Sequence, residues 1–129
     1  MRFNKKFAAI SGAILCFLAV AMGAFGAHAL SELLLQNQHN QTYELANRYH
    51  FYHGLSLLLI ASLDSMRSET SNMPRRIAIA CLFFGTIIFS ISLYVLALTK
   101  LGLLGAITPI GGLLLLIGWT SLANSFIRD

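Results

Sequence analysis

Apolar runs separated by short polar segments fill this chain of 129 residues. Residues 7–31, 77–99 and 101–127 contain no Asp, Glu, Lys or Arg, and each exceeds the roughly 20 residues a helix needs to cross a bilayer core. A fourth stretch, residues 42–64, has a different pattern. Its second half, GLSLLLIASL, is apolar, whereas its first half places Arg48, His50 and His53 among Tyr43, Tyr49 and Tyr52. The 15 residues between Arg48 and Asp64 would span only about 22 Å as a helix, short of the ~30 Å hydrocarbon thickness. The helix is therefore expected to start near Thr42, with its tyrosines at the interface and Arg48 either snorkelling outward or turning into the bundle. The pattern predicts an all-α membrane protein: one domain, residues 1–129, with four transmembrane helices at about 7–29, 42–64, 76–98 and 103–126, packed as a bundle.

Polar punctuation supports these boundaries. Ser71 or Asn72 suits an N-cap before Pro74 in the next first turn. The segment 30–41, LSELLLQNQHNQ, reads as a polar connection with some leucines. Thr108-Pro109-Ile110-Gly111-Gly112 is expected to kink the last helix or delay its regular start. Gly12, Cys16, Ala19, Gly23 and Gly26 recur at steps of three and four. Small residues at that spacing let a neighbouring helix approach closely, so Gly12, Ala19, Gly23 and Gly26, together with Gly111 and Gly112, are the expected packing positions. Ala27-His28-Ala29 resembles a signal-peptidase site, but the apolar run before it is about 20 residues, longer than the 7–15 of a signal peptide. The segment is therefore read as a retained first helix.

Composition sharpens the membrane reading. Hydrophobic residues are 57% of the chain and charged residues 11%, against roughly 25% charged in ordinary soluble proteins. The net charge of +4 comes from basic residues scattered at the ends of apolar runs, not from a patch, which argues against a nucleic-acid partner. Lys/Arg bias sets the orientation. With the N-terminus inside, Arg2, Lys5, Lys6, Arg67, Arg75, Arg76 and Arg128 are cytoplasmic, and only Arg48 and Lys100 lie outside. A multi-pass plasma-membrane protein with both termini cytoplasmic is the expectation. Cys16 and Cys81 fall inside apolar segments, at depths that disfavour a disulfide. No internal repeat relates the two helix pairs.

Four phrases, GAFGAHAL at 23–30, YHFYHGLSLLL at 49–59, FSISLYVLALT at 89–99 and TPIGGLLLLIGW at 108–119, resemble a bacterial inner-membrane family. It is known as domain of unknown function 423, an uncharacterised protein family related to the eukaryotic transmembrane protein 256 group. Ser90-Ile91-Ser92 departs from the resemblance, which leads one to expect a small residue such as glycine before Leu93-Tyr94. The resemblance implies a small multi-span plasma-membrane protein. It brings no established activity, so no catalytic residue is assigned.

Titratable side chains near the hydrocarbon are costly and so mark the place to look for chemistry. Threading the four helices puts His28, Arg48, His50, His53, Tyr94 and Thr108 toward the outer side, the candidate polar cluster. On the second helix Asn47, His50 and Gly54 share a face, with His53 farther round. Ser90 and Tyr94 share a face of the third. Metal ligation would need three or four ligands; apart from Glu32 and Glu44 no acidic or thiolate partner is evident at that end, and no metal is assigned. A haem or quinone site between His28 and His50, and a proton or solute path using the histidines, are alternatives. The plainest account is an interfacial His/Tyr belt that anchors depth and pairs helices. Cofactors stay unassigned. The favoured reading is a non-enzymatic protein in the lipid bilayer that acts through helix-helix or protein interaction, as a homo-oligomer or with a membrane-protein partner; a small permease or ion or proton pathway, or a cofactor- or metal-binding bundle, is the alternative.

Overall fold

The computed structural model describes residues 3–66 and 72–127; Arg2, Arg67, Arg128 and Ser71 lie outside the described residues. Five helices follow one another: α1 (Lys5–Ala27), α2 (Ser31–Asn37), α3 (Asn40–Ser65), α4 (Met73–Thr99) and α5 (Leu103–Ile127). The four long helices fall within about three residues of their expected bounds. The short α2 was not anticipated, because its seven residues lie in a segment that reads as polar connection.

Local chemistry explains the helix ends. Asn4 caps α1, its Oδ1 accepting from Phe7 N–H at 3.0 Å, and Asn72 caps α4 in the same way, accepting from Arg75 N–H at 3.1 Å, with Pro74 in the first turn. Each cap satisfies an amide that a helix start leaves without a partner. Gln38 and Lys100 end α2 and α4 in the left-handed region, at φ 58° and 60°. The last carbonyls of α4 are also taken by a distant residue: Asn37, closing α2, donates through Nδ2 to Ala97 O at 3.0 Å and Leu98 O at 3.1 Å. The short helix is therefore a clip over the C-terminus of α4. α5 runs unbroken through Pro109. Pro109 removes one backbone donor, and just before it the Thr108 hydroxyl donates to Leu104 O at 3.1 Å.

α1 packs along α3, α3 along α4, and α4 along α5. Two of these seams are built on glycine. In the α4/α5 seam, Gly111 faces Phe89, Leu115 faces Gly85, and Gly118 faces Leu82. Each glycine thus lies opposite a large residue, in antiparallel register. In the α1/α3 seam, a Cβ added at Gly12 would meet Gly54 O at 2.8 Å, and one added at Gly54 would meet Cys16 Sγ at 2.8 Å. Gly23 and Gly26 continue the seam against Asn47 and Tyr43, and Ala19 is buried beside them. Backbones this close gain dispersion contacts that larger side chains would forbid. Gly112 is different: an added Cβ would lie 3.8 Å from the Phe89 ring, an ordinary contact.

The buried core forms one cluster around Leu57, Ile60, Ile79, Leu82 and Leu115 and a second, toward α2, around Leu34, Tyr43, Ala46, Leu93 and Tyr94. The outward faces are also apolar: Phe17 is 73% exposed and Leu116 65%. Water would not tolerate apolar surface on this scale. α1, α4 and α5 are long and apolar enough to cross a membrane; α3, which carries Glu44, Arg48 and Asp64, is as long but more polar.

Candidate functional site

The polar side chains of α3 sort into separate places. The first is the seam with α1 and α4. Tyr43 donates through its hydroxyl to Met22 O at 2.6 Å. Asn47 donates through Nδ2 to Ala19 O at 2.7 Å and to the Tyr94 hydroxyl oxygen at 3.0 Å. Tyr94 Oη in turn lies 3.3 Å from His50 Nδ1. The phenol oxygen accepts from Asn47, and with one hydrogen and a second lone pair it can serve either tautomer of His50. His50 is among the residues along the apolar cleft between α1 and α4.

His53, one turn on, has both nitrogens engaged. Its Nδ1 lies 2.7 Å from Tyr49 O, a group that only accepts, so Nδ1 carries the hydrogen. Its Nε2 then accepts from Trp119 Nε1–H of α5 at 3.2 Å. The tautomer of His53 is thus set by its neighbours, whereas the hydroxyl beside His50 accommodates either. Trp119 lies beside His53, near the middle of the 26-residue α3. Both histidines lie mid-helix because α3 starts at Asn40, well before the point where its polar half ends.

The other members of the expected cluster are not brought together with His50. His28 is an exposed residue at the α1 C-cap. Arg48 is exposed and lines a separate pocket of about 500 Å³ under α2, with Glu44 and Asn40. Thr108 faces α4, its hydroxyl 2.8 Å from that of Ser92. Cys16 and Cys81 are both free thiols. Among the described residues, no group of three or more His, Cys, Asp or Glu side chains is placed to hold a metal.

Two features escaped the sequence reading. At the far end from α2, Arg75 Nη1 meets Asp64 Oδ1 at 3.1 Å, both side chains 5% exposed. Arg75 Nη2 also donates to Ser125 Oγ at 3.3 Å, and its guanidinium lies over the Phe126 ring at 5.4 Å. These contacts tie α3, α4 and α5 together. Removing one partner of such a buried pair typically costs about 3–5 kcal/mol. The only sequence signal was that Asp64 and Arg75 flank the same loop. The second feature is Ser90, 1% exposed, whose hydroxyl has no hydrogen-bond partner. Ser11 and Thr86, by contrast, bond back to Phe7 O and Leu82 O in their own helices.

Comparison with known proteins follows the same outline. The model of a family described as a protein of unknown function, DUF423, matches residues 22–112. A UPF0382 membrane protein of Staphylococcus epidermidis is 45% identical over 92% of this chain and 93% of its own length. The UPF0382 membrane protein of Staphylococcus saprophyticus is 45% identical over 88% and 90%, and YwdK of Bacillus subtilis is 38% identical over 92% and 94%. No solved structure matches. A family model over most of the chain, with relatives of this identity named as membrane proteins, places the chain in the DUF423 family of membrane proteins of unknown function.

Proposed function

We propose that this is a non-enzymatic plasma-membrane protein, a single four-span domain with both termini cytoplasmic, that acts by holding a partner within the bilayer. The span count is supported by the placement of α3 between α1 and α4, which pack along it on either side. If α1 and α4 cross, α3 shares their depth, and its 26 residues give about 39 Å of helix. An even number of spans returns the C-terminus to the side of the N-terminus, and the Lys/Arg bias puts that side in the cytoplasm. A periplasm-dependent reporter fused after residue 129 is expected to be silent; an active one would overturn this threading.

One observation carries the interaction reading: most polar side chains between the long helices join one helix to another. Tyr43 and Asn47 bond to α1 carbonyls, His53 to Trp119, and Ser92 faces Thr108. Such bonds hold a bundle together and fix its register. Among the described residues they leave no chain of titrating groups running from end to end, which disfavours the permease alternative. Gentle purification followed by native mass spectrometry is expected to find a second copy, another membrane protein or a lipid-soluble ligand at fixed stoichiometry. Bare monomer, combined with pH-dependent flux in reconstituted vesicles that is lost when His50 and His53 are both alanine, would favour the pathway instead.

A further inference from the structure

We infer that the pocket under α2, with the α3 face that continues from it, binds a zwitterionic phospholipid whose head carries a primary ammonium, the chemistry of a phosphatidylethanolamine. The pocket of about 500 Å³ is lined by Gly23 and Ala27 of α1, Ser31 of α2, and Glu44, Arg48 and Tyr52 of α3. Glu44 and Arg48 are both exposed. They stand on one face of α3, about 6 Å apart along its axis. Neither makes an ion pair or a side-chain hydrogen bond with another described residue. One fixed negative and one fixed positive charge therefore border the same space. A ligand that carries both signs can answer both with charge-assisted hydrogen bonds.

The order of groups along α3 points to a lipid as the source of that zwitterion. Glu44, Arg48, Tyr52, Leu55 and Leu59 fall within about 80° of one another around the helix axis. From the α2 end inward they read acid, base, phenol, apolar, apolar. In the same direction a phosphatidylethanolamine reads ammonium, phosphate, ester, acyl chain. The Tyr52 side chain is 54% exposed, and its hydroxyl makes no hydrogen bond with another described residue, so it is free to donate to an ester carbonyl. Leu55 and Leu59, 45% and 60% exposed, continue the face as a bed for the chains. Head chemistry then separates phospholipids from one another. An anionic lipid would meet Arg48 but set an uncompensated negative charge beside Glu44. A choline head has no N–H to donate to that carboxylate, whereas a primary ammonium has three. The match rests on α3 crossing the bilayer, as in the proposed function, and holds whichever leaflet meets the α2 end.

The test uses the delipidated full chain in detergent, mixed with equimolar dioleoyl phosphatidylethanolamine, phosphatidylcholine and phosphatidylglycerol and read by native mass spectrometry. One phosphatidylethanolamine per chain should be retained, about tenfold in preference to either competitor. Arg48→Gln should weaken retention of phosphatidylethanolamine about tenfold. Glu44→Gln should instead switch selectivity, bringing phosphatidylglycerol level with phosphatidylethanolamine or above it. Both side chains are exposed, so the melting temperature should match that of the parent. Lys100→Gln, at another exposed cation, should leave retention unaltered. Equal retention of the three lipids by folded parent protein, or unchanged selectivity in Glu44→Gln, would overturn the inference. Displacement of the lipid by equimolar free phosphoethanolamine would overturn it too, by making the site one for a soluble zwitterion. Intact lipid selectivity beside an active C-terminal reporter would uphold the inference and overturn the proposed threading.

Discussion

His50 and His53 stand three residues apart on one helix, yet they occupy opposite kinds of environment. His53 is a closed joint. Tyr49 O takes its proton, Trp119 supplies another, and the ring ties α3 to α5. His50 is bonded on one side only, through a Tyr94 hydroxyl that Asn47 also holds. Residue type and exposure do not distinguish the two, at 8% and 6% exposed. The difference lies in what the neighbouring helices offer each nitrogen. His53 has both ring nitrogens met inside the protein and ties two helices together; His50 has one partner.

The comparison depends first on the seam that brings Trp119 to His53. Gly111→Ala drives a Cβ into the Phe89 backbone, and overpacking of this kind costs about 1–3 kcal/mol, occasionally more. Gly112→Ala meets only the Phe89 ring at 3.8 Å and should range from neutral to about 1 kcal/mol more stable. Thermal unfolding in detergent measures both, and equal effects would mean that the register of α4 on α5 is wrong. Next in size, His53→Phe leaves the Trp119 N–H without its acceptor, a loss of about 1–3 kcal/mol that should accompany a change in the emission of the single tryptophan. His50→Phe removes a single bond of 3.3 Å where His53→Phe removes two, so a smaller loss of about 1 kcal/mol is expected. If His50→Phe proved as costly as His53→Phe, the asymmetry between the two histidines would not hold.

Much of the fold was legible because a bilayer imposes a length rule that soluble proteins do not obey. Runs without charge had to be helices of 20 or more residues, and the start of α4 was signalled by Asn72 and Pro74. The short α2 was hidden because a seven-residue helix leaves little periodicity. Its role is visible only through Asn37, which is 60 residues from the carbonyl of Ala97 that it binds. The candidate site was legible only in part. Helical spacing put Asn47 with His50 and Ser90 with Tyr94, and the structure brings Asn47, His50 and Tyr94 into one bonded chain. It separates His28, Arg48, His53 and Thr108 from that chain, because depth along a helix axis says nothing about which way each face turns.

By itself, then, the sequence determined membrane character, helix number among the long elements and the small-residue spacing of the seams, since each depends on neighbours within about two turns of chain. The partners of the polar groups that bond from one helix to another were decided by tertiary structure. A 26-residue helix such as α3 presents polar atoms in several directions, and only the neighbours packed around it determine which are matched. That is why Asp64 finds Arg75, why His53 is closed by Trp119, and why the Ser90 hydroxyl is left buried without a partner.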